Sequence, residues 1–147
     1  MRQNLPFILI RVIVGVVFLT EGVLKLMYPA ELGAGRFAHI GLPMPHVLGP
    51  LVGCVEIVAG LAVMLNFFAG DAAVLLLAVI STAIITTKIP ILLGGPLGPF
   101  QPPRLNHYGL LSFVHEARTD LSMLFCLAAI LIDRGIRVGR KRKWYQH

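Results

Sequence analysis

Four long apolar blocks leave this chain very few ways to fold. They run from about Pro6 to Met27, from Pro50 to Phe68, from Asp71 to Ile89 and from Phe113 to Ile132. Each holds roughly 19 to 22 residues, the length that carries a helix across a hydrocarbon layer at about 1.5 Å per residue. Within a bilayer every backbone N–H and C=O must be satisfied internally, which leaves helices or closed barrels. The apolar residues run continuously instead of alternating, and that selects helices. The expected fold is all-α: a membrane-embedded four-helix bundle surrounded by lipid.

Composition and charge agree with that expectation. Hydrophobic residues make up 56% of the 147 and charged residues 14%, against about 25% charged in a soluble domain. The net charge of +6 is almost entirely at one end. From Asp133 onward the chain carries Arg134, Arg137, Arg140, Lys141, Arg142 and Lys143. A basic segment following an apolar span marks a cytoplasmic side and attracts anionic lipid headgroups, so nucleic acid is not the expected partner. The expected division is a transmembrane domain over residues 1–133 and a basic cytoplasmic tail over 134–147. Arg2 and this tail place both termini in the cytoplasm, which makes the two long connections external. Arg11, Glu21 and Lys25 interrupt the first apolar block, and no small-x-small site follows, so it reads as an uncleaved span.

The connections differ in kind. Gly70-Asp71 makes a tight turn in which Asp71 is suited to cap the third span. The first connection has room for a short interfacial helix around Glu31 to Ile40. The stretch from Pro90 to Leu111 is rich in Gly and Pro, predicts no regular helix, and is expected to lie at the interface or fold back over the bundle.

Charges inside spans carry the functional information, because each costs roughly 2.5 to 3.5 kcal/mol to insert and needs a partner or a role. At 100° per residue, Arg11, Gly15, Phe18, Gly22 and Lys25 form one stripe with Glu21 at its edge. Gly53, Glu56 and Gly60 share a face of the second span, and Glu116, Asp120 and Met123 share one of the fourth. In the expected topology Glu21, Lys25, Glu56, Glu116 and Asp120 fall in one outer layer, with His115 and Arg118 at its rim. Arg11 lies on the inner side and is expected to snorkel to headgroups. Two readings of this cluster stand side by side: ion pairs that lock the bundle, or a polar pocket able to take a headgroup, a quinone ring or a proton. Ser81, Thr82, Thr86 and Thr87 read as hydroxyls bonded back onto their own helix. Cys54 and Cys126 form no CxxC or metal-ligand spacing. His39, His46 and His107 read as solvated, so no metal site is expected.

With those residues in view the chain resembles the DoxX family of small bacterial and archaeal membrane proteins. The likeness lies in Arg11…Gly15…Phe18…Gly22…Lys25-Leu26, in Gly41-Leu42-Pro43, in Gly53-x-x-Glu56-x-x-x-Gly60 and in His115-Glu116-Ala117-Arg118-Thr119-Asp120. It implies a four-helix fold in the cytoplasmic membrane. For some members it implies a part in quinone-linked sulfur oxidation, or in complexes that handle thiol and oxidative stress. The expectation is therefore a membrane subunit of an oxidoreductase system, with a quinone as its possible carrier, no covalently bound cofactor, and membrane or peripheral partner subunits. A scaffold or assembly subunit without catalysis is the alternative.

Overall fold

The computed structural model describes residues 5–144, with side chains described as far as residue 135. Arg2, the basic side chains from Arg137 onward and residues 145–147, on which the cytoplasmic-tail expectation draws, lie outside the described residues. The elements are α1 (Leu5–Met27), α2 (Ala34–Ile40), α3 (Pro45–Met64), α4 (Ala69–Ala83), a π-helical turn (Ile84–Lys88), α5 (Ile89–Leu93) and α6 (Leu110–Trp144). Among the described residues there is no strand, only an isolated bridge between Leu97 and Phe100.

Three helical segments are long and apolar enough to cross a membrane: Leu5–Met27, Pro45–Met64 and Ala69–Leu93. The expected fourth, α6, is not among them. It is amply long, but His115, Glu116, Arg118 and Asp120 crowd its first turns and Asp133 and Arg134 follow its apolar stretch. It also continues without a break past residue 133, the expected domain boundary.

The most extensive interface joins α1 and α3, and glycine makes it possible. A Cβ added at Gly22 would lie 2.5 Å from the Gly53 carbonyl oxygen, and one at Gly15 would lie 2.8 Å from that of Gly60. Gly15 faces Gly60 and Gly22 faces Gly53, so the helices run antiparallel with their backbones touching. Seven residues are close to two helical turns, which is why the Gly-x6-Gly spacing recurs in both partners. Small residues at such crossings let dispersion and polar contacts replace the hydrophobic drive that lipid does not supply. The buried residues of α1, namely Arg11, Val14, Gly15, Phe18 and Gly22, take in four of the five residues of the stripe read from the sequence, with Lys25 partly buried at its end.

α4 returns along α3 and packs on α6, which also touches α1. Phe18, Val63, Leu76, Ile80, Met123 and Leu127 meet in the shared core. Large apolar side chains point outward on every long helix, including Val58 and Phe125, as a lipid-facing surface requires.

The turn between α3 and α4 corrects two expectations. Phe68, not Asp71, occupies the N-cap of α4, and Asp71 sits in the first turn, where its charge still favours the helix dipole. Arg11 does not snorkel. It is buried and donates from Nη1 to Asn66 Oδ1 at 3.1 Å, an oxygen that also accepts from Arg134 Nη2 at 3.3 Å. Asn66 adopts the left-handed conformation (φ 61°), which asparagine tolerates. It thereby ties α1 and α6 to the same turn. Asn66→Gly keeps that backbone and removes the amide, so it should lower stability by about 1 to 3 kcal/mol in thermal unfolding in detergent.

The third span reaches further than expected. Helix continues through Pro90 to Leu93, within the stretch expected to be irregular. Pro90 has no N–H to return to the preceding turn. The π turn just before it accommodates that loss, with the Ile89 N–H reaching five residues back to the Ile84 carbonyl. The Thr86 and Thr87 hydroxyls donate to the carbonyls of Thr82 (2.8 Å) and Ala83 (2.6 Å), and Thr82 does the same to Ala78 (2.9 Å), as expected for these residues. Beyond Leu93 the chain does fold back: the Gln101 N–H donates to the Ile40 carbonyl at 3.0 Å. Gly41 ends α2 in a left-handed conformation (φ 94°), and any Cβ there would collide with the Pro99 carbonyl oxygen. A short helix is present in that connection as α2, shorter than Glu31 to Ile40 at its start.

Candidate functional site

Between α1, α3, the α4–π segment and α6 lies a cavity of about 500 Å³, to whose lining α2 also contributes. Its walls are mainly apolar, including Phe18, Phe37, Ile40, Val52, Ile80 and Met123. Charge enters from every side: Glu21 and Lys25 from α1, Arg36 from α2, Glu56 from α3, Lys88 from the π turn, Glu116 and Asp120 from α6.

The charges are arranged as pairs. Lys25 Nζ lies 2.8 Å from Glu56 Oε2, with side chains 12% and 5% exposed. It lies 3.3 Å from Glu21 Oε2, whose side chain is 53% exposed. Helical side chains lean toward the N-terminus of their own helix. In the antiparallel α1–α3 pair, Lys25 and Glu56 therefore lean toward each other across the Gly22–Gly53 contact. The close backbone approach and the ion pair are thus one design. Lys88 Nζ forms the second pair, 3.5 Å from Asp120 Oδ2, with exposures of 11% and 23%.

Of the seven expected site residues, the structure brings five together: Glu21, Lys25, Glu56, Glu116 and Asp120 all line the cavity. His115 and Arg118 do not. Their positions turn them outward on α6, and the Arg118 guanidinium donates back to the His115 carbonyl of its own helix. Lys88 and Arg36 were missed. Lys88 falls at the very end of the span expected from Asp71 to Ile89, beside the Gly- and Pro-rich connection, and its place in the cavity depends on the π turn that carries the helix through Pro90. Arg36 sits on a short helix whose docking at the cavity has no signature in sequence. Glu21→Gln, which removes only the exposed member of the first pair, should change stability by less than about 1 kcal/mol in the same unfolding measurement.

Among the described residues no group of three or more His, Cys, Asp and Glu is placed to hold a metal ion. Each lysine ammonium has three N–H donors. Among the described residues Lys25 engages two carboxylates and Lys88 one, which leaves donors on both that can face the cavity.

The model of the DoxX family matches residues 7–89, more than half of the chain. The chain belongs to the DoxX family. The match takes in Glu21, Lys25, Arg36, Glu56 and Lys88, whereas the DoxX resemblance seen at His115 to Asp120 lies beyond it. An uncharacterized membrane protein of Mycobacterium tuberculosis (strain ATCC 25618 / H37Rv) is 46% identical over 125 residues, covering 84% of this chain and 72% of the relative. No solved structure matches. This DoxX protein is thus an all-helical membrane protein with several apolar spans, embedded in the lipid bilayer.

Proposed function

We propose that this DoxX protein is the membrane subunit of a quinone-linked or thiol and oxidative-stress oxidoreductase system, and that its cavity holds the lipophilic carrier. The observation that supports this most is the cavity itself: about 500 Å³, mainly apolar walls, and two largely covered lysines with N–H donors to spare. Ligand sites of this size are typically apolar with a few converging polar groups. A quinone ring fits that chemistry, since it offers a flat apolar body and carbonyl oxygens that accept hydrogen bonds. When bound, the quinone supplies reversible two-electron chemistry. The chain's own residues hold and orient the ring. Lys25 and Lys88 donate to its carbonyl oxygens, Glu56 and Asp120 keep those ammonium groups charged and aimed, and Glu56 and Glu116 take up or give back protons.

The same proposal includes α6 as a fourth span. Leu127 and Ile130 are buried in the core while Phe125 and Ile132 face outward, 70% and 62% exposed, as on a helix between protein and lipid. The acids of its first turns enter the hydrocarbon layer because the cavity and Lys88 receive them. Arg11 and Arg134 meet at one turn, so the start of α1 and the later part of α6 lie at the same end of the bundle. Basic residues at that end favour the cytoplasmic side for it, and on this reading the cavity opens near the outer leaflet of the cytoplasmic membrane.

Mild-detergent purification followed by solvent extraction tests the reading. Quinone should accompany the wild-type protein and be largely lost from Glu56→Gln. A wild-type extract free of quinone contradicts it. A second reading, a non-catalytic scaffold, draws on the pairing of Lys25 with Glu56 and of Lys88 with Asp120, which also cements helices. It predicts that Glu56→Gln and Asp120→Asn release a copurifying partner subunit.

A further inference from the structure

The four acids lining the cavity are not equivalent. Glu21, Glu56 and Asp120 each lie within ion-pair distance of a lysine. Glu116 is the fourth, and among the described residues it makes no ion pair or hydrogen bond. Among the described residues it is also the one common to two hollows. On one side it lines the main cavity. On the other it lines a more open hollow formed by the 105–107 connection and the first turns of α6, with Leu105, Asn106, His107, Leu111, Ser112 and His115. Asn106, His107, Ser112 and His115 bring polar side chains to this open hollow, where water can reach them beside Leu105 and Leu111. Arg118, which stands nearby in sequence, is folded back on the His115 carbonyl and does not line it.

We infer that this hollow is the aqueous vestibule of the cavity and that Glu116 stands at the throat between them. A carboxylate there takes a proton from vestibule water and returns it on the cavity side, leaving the carboxylate as it began. Unlike the other three acids, it changes charge without breaking an ion pair. Lipophilic ligands then enter through the apolar wall, and water and protons enter past Glu116. The inference deepens the proposed function by giving the cavity a proton route, but it concerns access alone and is tested without quinone.

The test uses the full chain with Cys54→Ser and Cys126→Ser, reconstituted into sealed phosphatidylcholine/phosphatidylglycerol vesicles. Single cysteines are placed at the throat (Glu116→Cys) and deep in the cavity (Met123→Cys). The probe is a membrane-impermeant sulfonated methanethiosulfonate. Both cysteines should react in sealed vesicles, Glu116→Cys the faster. Adding Ser112→Trp or Asn106→Trp to fill the vestibule should slow Met123→Cys at least about tenfold, a difference of about 1.4 kcal/mol in barrier. Lipid-permeant N-ethylmaleimide should label that same cysteine at an unchanged rate, which shows the fold intact. Two plugging variants are used so that misfolding of one leaves the other to decide. No reaction of Met123→Cys with the impermeant probe, or an undiminished rate in a folded plugged variant, overturns the inference. Loss of quinone binding with this labelling pattern intact would count against the proposed function and leave the vestibule standing.

Discussion

Gly22→Leu should prevent α1 and α3 from docking and cost at least about 3 kcal/mol of stability, enough to remove most folded protein from a detergent extract. The size of the effect follows from what a side chain would meet there. A Cβ alone would sit 2.5 Å from the Gly53 carbonyl oxygen and 2.8 Å from Ile57 Cγ1, and the first of these is backbone, which cannot swing aside. Separating the helices to make room would pull Lys25 away from Glu56 as well, so packing and electrostatics fail together. Gly95→Ala is the matched control: nothing lies within 4 Å of a Cβ at that position, and its stability should stay within about 0.5 kcal/mol of wild type. Size-exclusion profiles and thermal unfolding of the two variants, side by side, check both statements. Equal behaviour would mean that the glycine crossing is not what holds α1 to α3.

The second large effect concerns the buried pair. Lys25→Met should destabilise by about 3 kcal/mol, because Glu56 keeps its burial and loses its counter-charge. The double variant Lys25→Met/Glu56→Met should recover most of that loss, since an apolar pair of similar volume serves a helix crossing in lipid at least as well. The expected coupling between the two sites is therefore large and of compensating sign. A double variant no more stable than Lys25→Met alone would contradict this account of the pair. The recovery matters beyond stability, because it provides a folded protein with the cavity's first ion pair removed.

The sequence made the apolar spans, the buried stripe of α1 and five of the cavity's charges legible, for one physical reason. Bilayer insertion penalises every charge, so Glu21, Lys25, Glu56, Glu116 and Asp120 stood out, and helical periodicity put them on inward faces. Four features were not legible. Pro90 looked like the end of a helix, yet a π turn carried the helix through it and delivered Lys88 to Asp120. Arg11 looked like a snorkelling residue because its acceptor, Asn66, is 55 residues away in a turn whose geometry no local pattern encodes. The recurring Gly-x6-Gly spacing was visible in both helices, but only the antiparallel register shows that each glycine faces its counterpart. Arg36 reaches the cavity through the docking of α2, which depends on the Gly41 turn and the strand of backbone from Pro99 to Gln101 lying over it.

The central claim is that the paired lysines and acids hold a polar-headed lipophile and do more than fasten helices. Equilibrium binding of decylubiquinone in lipid nanodiscs, to wild type and to Lys25→Met/Glu56→Met, tests it most directly. Binding to wild type should be saturable, and binding to the folded double variant at least about tenfold weaker, the loss expected for a hydrogen bond from a charged donor. Uptake by wild type no greater than by empty nanodiscs, or equal affinity in the two proteins, would contradict it.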